Sequence, residues 1–266
     1  MEWGIFSIRG IVPTASIIGM LFTFLVSIGV PVVLLIFVRI KTRARISTFF
    51  IGCGIFIGFA LILEQILHGI VGLIAGTILQ KNIFLYGLYG GLAAALFEET
   101  GRFIAMKFCM KKCLDKGNAL MYGVGHGGAE AILIAGLTSI NNLLTSIAIN
   151  SSSKILVFLD PSVQEAAHTQ LQALWLLPAY QFYLGGVERI LAIALQICLS
   201  VFVYQAVKTG QKKYLAGAFL LHFIVDFLTV VTAGLGLPVW GVELVLLVVV
   251  VVVVNYAVKL YKADIS

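Results

Sequence analysis

Three short groups of residues have types and spacing suited to hydrolytic chemistry. Glu98 and Glu99 stand side by side, with Arg102 four and three residues on. His126 is followed by Glu130, and His222 by Asp226. On a helix, residues four apart share a face, so each group would present its side chains from one side of one element. A buried glutamate can take a proton from water as a general base. A histidine can donate toward developing negative charge, and an arginine can hold a carboxylate by a charge-assisted bond. Glu99 points about 100° round a helix from Glu98, so residue type alone does not say which would be the base.

The elements that must carry these groups sit in very apolar text. The chain has 266 residues, 61% hydrophobic and 11% charged, against about a quarter charged in a soluble domain. That excludes a soluble enzyme and a disordered chain. Four cysteines are too sparse for a disulfide scaffold. Seven stretches, at about 11–38, 46–70, 83–106, 118–148, 177–207, 214–234 and 238–258, are long enough to cross roughly 30 Å of hydrocarbon as helices. The first is too long for a signal-peptide core and lacks a basic flank, so it reads as retained. The valine run from Val248 to Val254 would suit a strand in water; in lipid only a helix satisfies its own backbone. The expected fold is therefore an all-α, polytopic membrane bundle of about seven helices, in one domain over 1–266.

The basic residues set the orientation. Arg39, Lys41, Arg43, Arg45, Lys107, Lys111, Lys112, Lys116, Lys208, Lys212, Lys213, Lys259 and Lys262 fall on one side of a seven-span alternation, and Arg9, Lys81 and Lys154 on the other. Thirteen against three of the 18 Lys and Arg puts the N-terminus outside and the C-terminus in the cytoplasm. The net charge of +6 is thus directed at anionic lipid headgroups, not nucleic acid. The expected location is a bacterial plasma membrane.

Depth selects a cluster among the charges left inside the spans. Seven of the twelve acidic residues are inside: Glu64, Glu98, Glu99, Glu130, Glu188, Asp226 and Glu243. Each central charge costs roughly 2.5–3.5 kcal/mol on insertion scales, and ionisable residues within spans are functional candidates by default. Glu98, His126 and His222 each lie eight residues from the cytoplasmic end of their spans, or about 12 Å deep at 1.5 Å per residue. Three helices thus deliver Glu, His and His to one level. Glycines 123, 125, 127 and 128 surround His126, and tight helix packing explains them as well as room for a substrate does. Nearer the outer side lie Glu64, His68, Glu188, Arg189 and Glu243. There Glu188, Arg189 and Glu64 are expected to form a structural ion-pair network, leaving Glu243 over. In the long connection 149–176, Leu171, Leu174 and Trp175 suit a short helix at the outer interface, with His168 on its polar side.

With these groups in order, the chain resembles a family. Glu98-Glu99-Thr100-Gly101-Arg102 has the form EExxR, Tyr122 to His126 resembles FxxxH with Tyr for Phe, and His222 to Asp226 resembles HxxxN/D. Together these resemble the CAAX prenyl protease and bacteriocin-processing group of intramembrane proteases. The text FEETGRF, GHGGAEAI and HFIVDF is more similar to the YhfC branch of intramembrane metalloproteases. The similarity covers about 85–230. It implies an intramembrane endopeptidase acting on a membrane-associated peptide or protein. Glu98 and His126 would activate a water, and His222 with Asp226 would stabilise the oxyanion. Glu99 and Arg102 would position Glu98, with Tyr122, Glu130 and Glu188 in support. Asp226 departs from the Asn of the prenyl protease branch and donates only when protonated. The EExxR spacing departs from the longer EExxxR. HExxH is absent. A metal-free, glutamic-type site is the expectation, and Zn²⁺ held by Glu98, His126 and His222 is the alternative. A proton- or cation-coupled carrier and a non-catalytic scaffold are the competing functions; no inverted repeat or broken-helix pair supports a carrier.

Overall fold

Helix boundaries fall where local chemistry stops a helix. Pro13 precedes the first helix, and Arg43 ends it with φ 58°, its N–H bonded to the Arg39 carbonyl at 3.0 Å. Asn82 caps a helix by accepting from the N–H groups of Phe84 and Leu85 at 3.0 and 3.2 Å. Asp115 caps another through the N–H of Asn118 at 2.8 Å. Gly210, at φ 72°, closes a third in the left-handed region that suits glycine.

The computed structural model describes residues 10–151, 169 and 171–263. Among the described residues there are helices and turns and no strand. The long helices are α1 (Thr14–Thr42), α2 (Ile46–Gln80), α3 (Ile83–Ile104), α4 (Lys116–Ser151), α6 (Ala179–Thr209), α7 (Lys212–Gly234) and α8 (Val239–Ala263), with a short α5 (Ala173–Leu176). Six of these are long and apolar enough to cross a membrane. The exception is α3, whose 22 residues suffice in length but whose apolarity is lowered by Glu98, Glu99 and Arg102. The chain is an integral, multi-pass helical membrane protein.

The exposed surface is apolar, as lipid requires: Leu73, Ile74 and Val33 are 91%, 79% and 64% exposed. Helix α6 is central, with two thirds of its apolar window buried, and packs against α1, α4, α7 and α8. On one side α4 lies between α2 and α6 at near-backbone distance. A Cβ on Gly125 would meet the Phe49 carbonyl oxygen at 2.0 Å, and one on Gly123 the Ile197 Cα at 2.7 Å. Small residues are needed here for helix approach.

One expectation changes. The second span does not end near residue 70 but continues to Gln80, and none of Gln65–Gln80 is buried. Nothing packs on Gly69, Gly72 or Gly76, so the sequence offered no packing partner there, only continued helix-forming text. After the long connection a short helix forms at Ala173–Leu176, and its Leu174, 5% exposed, packs with Val12, Met20, Leu143 and Ile149. The expectations for Arg9, Lys154 and His168 fall outside the described residues.

Candidate active site

The site is assembled by α3, α4, α6 and α7. Three π-helical segments adjoin it: Phe56–Glu64 within α2, Ala105–Cys109 after α3 and Ala131–Gly136 within α4. Such segments widen a turn and re-aim the side chains beyond it, and they are frequent at functional sites. Here Phe56 opens the first and packs its ring edge-on to His126, centroids 5.3 Å apart. Glu64 closes the same segment and reaches the central cavity.

Glu98 and His126 meet directly. The His126 Nε2 is 2.8 Å from Glu98 Oε2, with the ring wholly buried. With Glu98 ionised, an acceptor only, the bond requires Nε2–H as donor. The other ring nitrogen, Nδ1, is buried without a partner. Tyr122 stacks at a tilt on the same ring, centroids 6.0 Å apart, with its buried hydroxyl unbonded.

His222 arrives from α7. Its Nδ1 is 2.8 Å from Glu99 Oε1. Its Nε2 is 3.9 Å from Glu98 Oε2 and 3.5 Å from Asp226 Oδ2. The last two distances exceed an ordinary hydrogen bond, so Nε2 is not tied up by either acid. Glu98, His222 and Asp226 share a cavity of about 230 Å³ with Glu64, Glu130 and Glu188. The two adjacent glutamates therefore divide: Glu98 lines the cavity, while Glu99, 1% exposed, is held between His222 and Arg102.

Arg102 is wholly buried and pairs with Glu99, Nε to Oε2 at 3.3 Å. It also donates from Nη1 to the Gln196 carbonyl at 2.6 Å and to Ser200 Oγ at 2.8 Å, and from Nη2 to Gln196 Oε1. Because its carbonyl faces an arginine, the Gln196 amide must turn its NH₂ the other way. That NH₂ donates to Glu98 Oε2 at 3.0 Å and to Glu130 Oε2 at 2.9 Å. Gln196 thus links the arginine to both acids. It is the residue that a reading confined to ionisable side chains misses; the available signal was a lone amide inside the apolar run Ala192 to Phe202.

The outer-side pairing differs from expectation. Arg189 bonds Glu130 at 3.0 Å and also Glu188, not Glu64. Glu64 bonds His68 Nε2 at 3.1 Å, whose Nδ1 lies 2.7 Å from the Tyr89 hydroxyl. One turn separates Glu64 from His68, so the local partner is always in reach. Glu243 is left over as anticipated, with Oε2 buried and unbonded.

A polytopic membrane protein with a buried Glu–His pair, a second histidine and an acid-lined cavity is the class that fold and site define. The sequence model of the YhfC intramembrane metalloprotease family matches residues 24–251, and the chain belongs to that family. It is 39% identical over 195 residues to "Uncharacterized membrane protein YhfC" of Bacillus subtilis (strain 168), covering 72% of this chain and 75% of the relative. No solved structure matches the chain.

The family description implies a metal. Among the described residues, no three His, Cys, Asp or Glu side chains are gathered as a ready metal cage. The donor types are nevertheless those of catalytic zinc: two imidazoles and a carboxylate. Glu98, His126 and His222 would hold the ion, which would have to replace the Glu98–His126 hydrogen bond. When bound, it would supply a Lewis acid that polarises water.

Proposed function

We propose that this protein is an intramembrane endopeptidase that hydrolyses a peptide bond of a membrane-associated substrate with a water activated at Glu98. The observation that carries this reading is the meeting of Glu98 and His222, from two helices, in one acid-lined cavity inside an apolar bundle, with His126 of a third helix bonded to Glu98 from behind. Glu98 takes a proton from water, and the hydroxide oxygen bonds to the scissile carbonyl carbon. His126 and Gln196 hold the Glu98 carboxylate in place. His222, doubly protonated, donates Nδ1–H to Glu99 and turns Nε2–H to the carbonyl oxygen as it gains charge. Asp226, one turn further along α7, lines the same cavity 3.5 Å from Nε2 without taking its hydrogen. As the C–N bond breaks, the proton held by Glu98 passes to the leaving nitrogen.

The acids around the cavity also suit a cation-coupled carrier, and one experiment separates the two. Purified wild type and Glu98→Gln are incubated with a library of membrane-spanning peptides, with chelator, and then with added zinc, and cuts are read by mass spectrometry. A defined cut made by wild type and absent from the variant is expected. Cutting that needs zinc would make the hydrolysis metal-assisted at the same residues. Absence of any cut under both conditions overturns the proposal.

A further inference from the structure

A second cavity, of about 770 Å³, lies outside the polar one, between α3, α6 and α7. That volume is in the range of sites for sizeable small molecules. Its walls are apolar, with Phe103, Val207, Leu215, Ala216 and Phe219. Its mouth carries two ammonium groups: Lys107, on the π-helical turn after α3, and Lys212, at the first turn of α7. The inner end is closed by Glu99, eight residues before Lys107, or about 12 Å deeper along the helix. Glu99 offers no charge to this space, because His222 and Arg102 engage its carboxylate.

Neither lysine forms an ion pair among the described residues; the Lys107 ammonium sits over the Phe103 ring, 5.1 Å from its centroid. That contact holds one charge at the edge of the apolar wall. Both lysines belong to the loop ends that carry most of the basic residues. An apolar shaft about 12 Å deep, topped by two uncompensated cations at a membrane boundary, is complementary to a molecule with a long hydrocarbon chain and an anionic head.

We propose that this cavity binds an anionic phospholipid, with one acyl chain lying between α3, α6 and α7 and the phosphate at Lys107 and Lys212. The proposal stands apart from the protease reading, since it uses neither Glu98 nor His126. Its occupant would touch Glu99, the carboxylate that holds His222, so the lipid would sit one side chain away from the polar cluster.

The test uses the purified full chain in uncharged detergent. Native mass spectrometry reads lipid retained during titration with phosphatidylglycerol, phosphatidylcholine and glycerol 3-phosphate, the last supplying the head without the chain. Phosphatidylglycerol is expected to be held at least about fivefold more tightly than phosphatidylcholine, and the headgroup alone not at all, at roughly fivefold per lysine contact. The double variant Lys107→Gln/Lys212→Gln, both sites exposed, should lose the preference. Ala216→Trp, which keeps both charges and fills the wall, should lose retention itself. Variant folding is checked by thermal midpoint before lipid is added; the exposed lysine pair decides alone if the tryptophan variant does not fold. Equal retention of the two lipids, displacement by glycerol 3-phosphate, or a preference that survives the lysine variant overturns the proposal.

Discussion

Glu98 and Arg102 sit one turn apart on one helix, yet the structure predicts opposite consequences for losing them. Glu98→Gln keeps an oxygen to accept from His126 and Gln196, and it removes a charge from low dielectric, where charge is costly. Its thermal midpoint in detergent should match or exceed that of wild type. Arg102→Ala leaves the Gln196 carbonyl and amide oxygens and Ser200 without their common donor, and Glu99 without its ion-pair partner. Removing one partner of a buried ion pair typically costs about 3–5 kcal/mol, so its midpoint should fall sharply. A Glu98→Gln protein that is destabilised as much as Arg102→Ala would show that Glu98 is a structural member of the network. At this scale most of the cluster was legible, because charges inside apolar text announce themselves. The division of labour between Glu98 and Glu99 was not, since it depends on which neighbours α6 and α7 present. Gln196 was missed for the same reason: an uncharged amide reveals its role only when its partners are placed around it.

Helices bring these residues together only if α4 can approach α2 and α6 closely. Gly125 faces the Phe49 carbonyl and Gly123 the backbone of α6, so the glycines around His126 are packing devices that set its depth. Gly125→Val should destabilise the protein by at least the 1–3 kcal/mol usual for overpacking, because the obstacle is backbone rather than a movable side chain. Gly90→Val, where nothing lies within 4 Å, serves as the control; thermal midpoints of the two variants make the comparison. Equal midpoints would contradict the close packing of α2 and α4. The existence of the spans followed from apolar length alone. Their register did not: the π-helical segments in α2 and α4 change which face a residue occupies, and periodicity read at a constant 3.6 residues per turn does not register that change.

For the whole molecule, the sequence fixes seven membrane-length helices only if α3 is counted despite its charges. The structure explains the discrepancy, since the residues that make α3 less apolar are buried against α6 and α7 and do not meet lipid. Reporter fusions at Ser151 and after Lys262 should lie on opposite sides of the membrane, with the latter cytoplasmic; both on one side would remove α6, α7 or α8 from the crossing set. With that arrangement the Glu98 level lies about eight residues inside the basic end of the bundle, the depth at which the proposed hydrolysis would take a peptide from the cytoplasmic leaflet. In the proposed hydrolysis, the oxygen of a water activated at Glu98 becomes part of the product. This is tested most directly by carrying out cleavage in ¹⁸O-enriched water with a membrane-spanning peptide that the wild type cuts, and weighing the new C-terminal fragment. One ¹⁸O is expected in that carboxyl group after a single wild-type turnover, and no fragment from Glu98→Gln. Equal amounts of labelled fragment from both proteins would contradict it.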